Sequence, residues 1–328
     1  MGNDADRRRA APRVLVYYDQ PDDVLPRLRA RFPDLNFAVC RTYEELPPLL
    51  GSLKPDVIFA FKFAPRPFPR DAFLSCSSLG WLSVAFAGLD VLLPWDDGAL
   101  VVTNASGVAG IEMGHYAIAA ILGLFHGFPE LRARQTEKSW RLYVPRSARS
   151  ATVGIVGLGH SGRVIARMAR GVGLRVVACR ARPEPSPDVD AIYPAADLHR
   201  MLGEADATVL CAPLTAQTEN LFDARAFAAM KPGSYFVNLA RGLIVREEAL
   251  IEALKSGHLA GAFIDVARTE PLPPSSPLWD APNLSITPHC SSEYEGWVGN
   301  ATDMFADNLE RWIRGEPLEN RVRSDRGY

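Results

Sequence analysis

The fold of this chain is decided by the stretch Thr152-Val-Gly-Ile-Val-Gly157-Leu-Gly159-His-Ser-Gly162-Arg-Val-Ile-Ala166. Its first five residues form a short apolar run that predicts a buried strand, and the residues after Gly162 have the apolar spacing of a helix. Between them the glycines follow the spacing Gly-x-Gly-x-x-Gly. A glycine-rich turn in this position indicates a dinucleotide-binding βαβ unit.

Each glycine of this turn has a separate physical task. Gly157 permits the tight turn, Gly159 lets a pyrophosphate approach the backbone, and Gly162 allows the helix to pack closely on the strand. The helix start also points unpaired N–H groups at the phosphates. The predicted cofactor-binding loop consists of Gly157, Leu158, Gly159, His160, Ser161 and Gly162.

The end of the next predicted strand indicates which dinucleotide binds. An NAD enzyme carries Asp or Glu there for the ribose 2′-hydroxyl, whereas this chain has Cys179-Arg180-Ala-Arg182. Two guanidinium groups suit a 2′-phosphate. We therefore expect NADP(H) as the preferred cofactor, with NAD(H) possible. The alternative is that Arg180 and Arg182 are two solvated arginines on a loop.

Short apolar runs continue on both sides of the turn and alternate with amphipathic segments, which predicts an α/β fold with parallel sheets. A stretch from Gly110 to Phe128 is predicted as one apolar helix, and Glu293 to Arg314 as a long C-terminal helix. The runs predicted as strands are 14–18, 56–61, 81–86, 100–103, 152–156, 175–178, 207–211, 234–239, 261–266 and 284–287. The last six of these runs match the strands of a doubly wound sheet.

Three charged side chains follow strands of that predicted sheet. Reduction of a 2-oxo acid needs a cation for the carboxylate and carbonyl, an acid for the carbonyl oxygen, and a carboxylate that keeps the acid protonated. Arg241, His289 and Glu270 are residues of these three types. Asp265 would then face the nicotinamide carboxamide. Taken singly, an arginine at a helix start and a histidine in a loop have ordinary structural explanations, so the prediction depends on their joint occurrence.

The composition argues against several classes of binding partner. The 328 residues carry a formal charge of −2, which offers no field for nucleic acid or an anionic membrane. Five scattered cysteines without a CxxC pair argue against a disulfide framework and a zinc site. No export signal or membrane span is visible, so we expect a cytoplasmic protein without a metal, acting on a small molecule.

Several motifs resemble the D-isomer specific 2-hydroxyacid dehydrogenase family. They are Phe86-Ala-Gly88-Leu-Asp90, Pro213-Leu-Thr215 with Thr218, Asn238-Leu-Ala-Arg241-Gly, Asp265-Val with Glu270-Pro-Leu, Ser276-Pro-Leu-Trp279 and Thr287-Pro-His289. The match runs from about residue 56 to the end. The Cys179–Arg182 segment and the Pro-rich stretch after Glu270 look most like NADPH-preferring glyoxylate/hydroxypyruvate reductases.

The resemblance implies a division into two domains. A flavodoxin-like α/β substrate domain would comprise 1–105 and 290–328, and a Rossmann cofactor domain 106–289. It also implies a homodimer. At His115 many relatives carry Glu, which leaves the local structure of this helix open.

The resemblance further implies ligand contacts. Backbone N–H groups around Lys62-Phe63 and Ala87-Gly88 would hold the substrate carboxylate together with Arg241. Pro213, Thr218 and Ala240 would join Asp265 in contacting the cofactor.

The site residues predict an oxidoreductase that reduces a small 2-oxo acid, and the resemblance implies a substrate of the glyoxylate or hydroxypyruvate kind and a D-2-hydroxy acid product. One alternative is a dinucleotide-sensing interaction protein on the same fold without turnover, because fold alone does not specify function. Another is a dehydrogenase for a different small anion such as formate or phosphite.

Overall fold

The structure is a computed structural model that describes residues 11–62 and 67–325. In chain order the described strands are β1 (Val14–Tyr17), β2 (Phe37–Cys40), β3 (Val57–Ala60), β4 (Trp81–Val84), β5 (Val101–Thr103), β6 (Thr152–Val156), β7 (Arg175–Arg180), β8 (Ala191–Pro194), β9 (Ala207–Leu210), β10 (Ser234–Asn238), β11 (Leu259–Ile264), β12 (Leu284–Ile286) and β13 (Arg321–Val322).

The described helices alternate with these strands. They are α1 (Leu25–Arg31), α2 (Leu46–Leu53), α3 (Arg70–Leu74), α4 (Gly110–Phe125), α5 (Phe128–Thr136), α6 (His160–Gly171), α7 (Leu198–Glu204), α8 (Ala224–Ala229), α9 (Glu247–Lys255) and α10 (Trp297–Arg314), with 3-10 turns at Pro21–Asp23, Ala195–Asp197, Gly242–Ile244 and Pro277–Asp280. The chain divides into two compact units. The first takes in the described residues up to Val108 and from Tyr294 onward, and the second is Ala109–Glu293.

The second unit contains a parallel sheet in the order β12-β11-β10-β9-β6-β7-β8. Starting at β6, the chain adds β7 and β8 on one side and then returns to add β9 to β12 on the other side. The topological switch point therefore lies between β6 and β9. All five residues of β6 are buried because helices cover both faces. The predicted doubly wound fold is therefore confirmed.

The first unit has its own sheet, in the order β13-β5-β4-β3-β1-β2. All pairs are parallel except β13 with β5. Helix α10 covers one face, where the ring of Phe305 stacks on Phe59 at 4.3 Å and on Trp81 at 5.2 Å between ring centroids. On its polar face, Arg27 pairs with Asp303 at 3.1 Å.

Three short strands were missed by the sequence patterns. β2, β8 and β13 each lie at an edge of their sheet, so they are buried on fewer sides than the central strands. β8, for example, reads Ala-Ile-Tyr-Pro and has only Tyr193 buried. A half-buried run of this length has no clear apolar period.

The predicted single helix from Gly110 to Phe128 is wrong in one respect. The helix ends at Phe125, and α5 begins at Phe128 after Gly127 adopts a left-handed φ of +68°. A side chain at Gly127 would also overlap the ring of Tyr143. Within the described residues no single helix has the length and apolar composition of a membrane span; α4 and α5, bent by 64°, reach it only together.

Candidate active site

The glycine-rich turn lies at the switch point of the second unit's sheet. Gly157 follows β6 with a φ of +99°, and a Cβ there would stand 2.6 Å from the backbone nitrogen of Ala212. A Cβ on Gly162 would overlap the carbonyl oxygen of Gly157. The turn and the first turn of α6 therefore pack at backbone contact distance, which only glycine permits.

The turn is open where a phosphate would approach. A Cβ on Gly159 would meet no described atom within 4 Å, and α6 begins at the next residue with its N–H groups unpaired within the helix. The residues present thus fit the pyrophosphate of a dinucleotide. Leu158 is 3% exposed and packs in the core, so it offers only backbone, whereas His160 is exposed. The hydroxyl of Ser161 lies 3.5 Å from the sulfur of Met113.

Cys211 supports the turn from the neighbouring strand. Burial raises the pKa of its thiol to about 12, so the group stays protonated. It donates to the carbonyl oxygen of Gly157 at 2.9 Å. The loop that follows is shaped by Thr218, whose hydroxyl donates to the Pro213 carbonyl at 2.7 Å and accepts from the Thr215 N–H at 2.8 Å. Thr218 therefore positions the Pro213 loop beside the glycine-rich turn.

The two arginines predicted for the 2′-phosphate differ in their surroundings. Arg180 is the last residue of β7, its side chain is 24% exposed, and its guanidinium lies 3.4 Å from the carboxylate of Glu184. Arg182 is exposed.

The catalytic candidates follow three neighbouring strands, because Arg241 comes after β10, Asp265 after β11 and His289 after β12. The Nδ1 atom of His289 lies 2.7 Å from Oε2 of Glu270, and both side chains are 36% exposed. The other oxygen of Glu270 accepts from the Ala267 N–H at 3.1 Å. With Nδ1–H directed at the carboxylate, Nε2 is the nitrogen that can face a substrate.

His289 has an unusual backbone conformation. Its φ of +53° lies in the left-handed region, and its N–H donates to the carbonyl oxygen of Asp265 at 2.7 Å. The carboxylate of Asp265 is 1% exposed and accepts from the Thr287 hydroxyl at 2.7 Å and from the Cys290 and Ser291 N–H groups at 2.9 Å. Asp265 therefore supports the turn that presents His289. Its predicted contact with the nicotinamide carboxamide stays a prediction.

The Arg241 turn touches the loop that carries Glu270. A Cβ on Gly242 would overlap the carbonyl group of Ala267, so these two backbones are in direct contact. The guanidinium of Arg241 donates to the Ala240 carbonyl at 2.8 Å, and Ala240 is 6% exposed. The structure thus brings the Arg241 turn, Glu270 and His289 together at one edge of the sheet.

The substrate-binding candidates of the first unit also follow neighbouring strands. Lys62 is exposed just beyond the end of β3, and Ala87 and Gly88 follow β4. The carbonyl of Ala87 accepts from the side-chain amide of Asn104 at 2.7 Å, which anchors that loop. Phe63 lies outside the described residues.

Sequence reasoning missed Tyr116, which contacts the segment that carries His289. Tyr116 on α4 lies with its hydroxyl 3.5 Å from the sulfur of Cys290, and its ring packs edge-on against Phe263. Burial raises the pKa of Tyr116 to about 12, so its hydroxyl stays protonated. Its neighbour His115 is exposed and lies 3.3 Å from Glu112. In the described ranges, no three His, Cys, Asp or Glu side chains gather as metal ligands would.

The second unit matches a known family. Residues 118–291 match the family described as D-isomer specific 2-hydroxyacid dehydrogenase, NAD binding domain. A relative, glyoxylate/hydroxypyruvate reductase A of Salmonella newport (strain SL254), is 32% identical over 220 residues, which cover 67% of this chain and 70% of that protein.

Two solved structures are similar over almost the whole chain. The D-isomer specific 2-hydroxyacid dehydrogenase from Xanthobacter autotrophicus Py2, in complex with NADPH and MES, has a TM-score of 0.85 and 30% identity, covering 97% of this chain and 100% of that one. The NADPH-dependent glyoxylate/hydroxypyruvate reductase from Sinorhizobium meliloti, in complex with NADP and sulfate, has a TM-score of 0.80 and 27% identity, covering 96% and 99%.

The fold, the glycine-rich turn and these matches define an NAD(P)-dependent oxidoreductase. The chain belongs to the D-isomer specific 2-hydroxyacid dehydrogenase family. The reaction is the NAD(P)H-dependent reduction of a 2-oxo acid. The alternative of a dinucleotide-sensing protein without turnover finds no support.

The packing of the glycine-rich turn generates a test. Gly162→Ala is expected to destabilise the protein by about 1–3 kcal/mol, because the new methyl group overlaps the Gly157 carbonyl. NADPH affinity, measured by fluorescence titration, should fall with it. Gly171→Ala is the matched control, since a Cβ at this last residue of the same helix meets no described atom within 4 Å. Equal melting temperatures for both variants would contradict the close packing.

Proposed function

We propose that this enzyme reduces a small 2-oxo acid of the glyoxylate or hydroxypyruvate kind to the D-2-hydroxy acid, with NADPH preferred and NADH possible. The observation that carries the proposal is the Glu270–His289 pair at 2.7 Å, on the same sheet edge as the Arg241 turn and the open glycine-rich turn. The substrates and NADP(H) named for the similar reductases support the choice of substrate and cofactor.

The cofactor is held, in this proposal, by residues at the carboxyl ends of β6, β7, β9, β10 and β11. The proposed contacts are Gly157, Leu158, Gly159, His160, Ser161, Gly162, Arg180, Arg182, Pro213, Thr218, Ala240 and Asp265. When bound, the reduced nicotinamide supplies a hydride to the substrate carbonyl carbon.

The chain's own residues bind the substrate and supply the proton. Arg241 pairs with the substrate carboxylate and polarises the carbonyl. In the first unit, backbone N–H groups at Lys62 and at Ala87-Gly88 are further proposed substrate contacts. His289 donates the proton on Nε2 to the carbonyl oxygen as negative charge develops there. Glu270 stabilises the imidazolium through Nδ1 until that proton is given up. Solvent then reprotonates His289.

The reduction assay tests the whole proposal. Oxidation of NADPH or NADH is followed by absorbance at 340 nm with a panel of glyoxylate, hydroxypyruvate, pyruvate, phenylpyruvate and oxaloacetate. In a second assay, reduction of NADP+ is followed with formate or phosphite. We expect NADPH oxidation with glyoxylate or hydroxypyruvate. Turnover of formate or phosphite alone would contradict the proposed substrate class.

The cofactor preference has its own variant. Arg180→Ala combined with Arg182→Ala should raise the KM for NADPH by about tenfold or more and leave the KM for NADH unchanged, because charge-assisted hydrogen bonds to the 2′-phosphate are lost. Arg175→Ala, at the opposite end of the same strand and paired with Glu204, is the control. A parallel loss with both cofactors would assign the two arginines a structural role.

The proton donor is tested by His289→Gln. Glutamine occupies a similar volume and cannot supply an acidic proton, so kcat is expected to fall by about 100-fold or more. NADPH affinity should be unchanged, because the donor is needed only in the transition state. His199→Gln, exposed on α7, is the control. If kcat survives in His289→Gln, another group donates the proton.

We also propose that the protein is a homodimer. Residues 139–145, named here the exposed arm, have no regular secondary structure, and Trp140, Leu142 and Val144 are 101%, 90% and 80% exposed. Their spacing of two residues directs them to one side of an extended segment. Phe128, at the start of α5, is also 61% exposed. Large exposed apolar side chains of this kind are typical of a surface that a second copy covers.

Sedimentation equilibrium measures this association. We expect a mass of about 72 kDa, twice the 35.9 kDa of the chain. Trp140→Glu with Leu142→Glu should produce monomers, because two charges would be buried without partners. Trp279→Glu is the control, since Trp279 is 52% exposed outside the arm. A monomeric wild-type protein at micromolar concentration would contradict the homodimer.

We further place the enzyme in the cytoplasm. All five cysteines are free thiols, as expected in a reducing compartment.

A further inference from the structure

One buried polar side chain, Asn238, lies beneath the Arg241 turn and has no role in the mechanism above. It is the last residue of β10 and is 1% exposed. Its side-chain oxygen accepts from the Ala240 N–H at 3.0 Å, and its side-chain amide donates to the Arg241 carbonyl at 3.2 Å. Both ends of the amide are therefore bound to the two residues, Ala240 and Arg241, that end the segment leaving the strand.

The backbone around Asn238 is anchored on both sides. Its carbonyl accepts from the Asp265 N–H at 3.0 Å, and the next residue, Leu239, donates to Leu210 at 3.1 Å. The Asn238 side chain thus links the end of β10, which is fixed in the sheet, to the Ala240–Arg241 segment that follows the strand. The Arg241 carbonyl also accepts from the Ile244 N–H at 3.3 Å, which starts the following 3-10 turn.

We propose that Asn238 is a positioning residue for the reaction, which acts through Arg241 and does not touch the substrate. The inference rests on the proposed function, because it requires Arg241 to bind the substrate carboxylate. Arg241 is extended, with φ −146° and ψ 142°, and its guanidinium donates to the Ala240 carbonyl at 2.8 Å. The two amide bonds hold Ala240 and Arg241 in that conformation.

The residue type matters because both groups of the amide are used. Ala240 is buried, so its N–H loses its partner when the side chain is removed, and an unsatisfied buried donor favours a rearranged turn. Serine accepts a hydrogen bond from the N–H two residues later in the same way, though more weakly. The serine side chain is too short for its hydroxyl to donate to the Arg241 carbonyl. A graded series from Asn through Ser to Ala is therefore available.

The first measurement compares affinity for oxamate, a stable 2-oxo acid analogue, in calorimetric titrations of the enzyme–NADPH complex. Asn238→Ala is expected to weaken oxamate binding and to lower kcat/KM by about 10- to 100-fold, because small misplacements of a binding group have effects of this size. Asn238→Ser should fall between Ala and wild type. NADPH affinity should fall less than oxamate affinity, since Ala240 is the only proposed cofactor contact in the altered turn and the glycine-rich turn is unaltered.

Ser234→Ala is the matched control. Ser234 is buried at the other end of β10, and its hydroxyl has no hydrogen-bond partner among the described residues. Its removal should leave oxamate and NADPH binding unchanged. A general loss of sheet stability would instead lower the melting temperature and weaken both ligands in either variant.

A double-mutant cycle separates the two proposals. If Asn238 acts through Arg241, then Asn238→Ala has no additional effect on oxamate binding once Arg241→Ala is present. An unaltered affinity in Arg241→Ala would overturn the proposed function. If Arg241→Ala weakens oxamate binding and Asn238→Ala does not, the positioning role alone is overturned. The same holds if Asn238→Ala weakens oxamate binding equally in the wild-type and Arg241→Ala backgrounds.

Asn238→Asp keeps the test decisive if the alanine variant does not fold. Aspartate has the same size and keeps the acceptor for the Ala240 N–H, while an oxygen replaces the donor that faces the Arg241 carbonyl. We expect weaker oxamate binding with near-normal NADPH binding. Wild-type oxamate affinity in this variant would overturn the inference.

Discussion

The parallel pairing of β10, β11 and β12 is the constraint on which the candidate active site depends. These strands are joined in register, with Phe263 opposite both Val237 and Ser285. Because parallel strands end at the same edge, residues that are far apart in sequence leave the sheet side by side. Arg241, Asp265 and His289 come together for this reason, and Glu270 reaches His289 from the loop that follows β11.

The loops beyond that edge are held by buried polar side chains more than by apolar packing. Asp265 accepts three hydrogen bonds from the segment that carries His289, and Asn238 makes two to the segment that carries Arg241. A buried carboxylate or amide is costly unless it is fully bonded, so each of these networks favours one loop conformation over its alternatives. The left-handed backbone of His289 is held within such a network.

Two glycines allow backbone segments of the site to pack directly against each other. Gly162 brings α6 against Gly157, and Gly242 brings the Arg241 turn against Ala267. In each case two backbones meet at a distance that a Cβ would not allow. The first contact shapes the phosphate-binding turn, and the second links the Arg241 turn to the loop of Glu270. Both contacts are rigid, as preorganised binding of charge requires.

Much of this was determined by the sequence alone. The run 152–156 is a strand with the predicted bounds, and the glycine-rich turn follows it as expected, because apolar period and glycine spacing are local properties. The types of Arg241, Glu270 and His289 also indicated the chemistry. Only the tertiary structure decided what holds them. The partners of Asp265 lie up to 26 residues away, and hydrogen bonds between neighbouring strands leave no periodic trace in the sequence. The edge strands β2, β8 and β13 and the break at Gly127 were missed for the related reason that their surroundings are set by packing, not by local pattern.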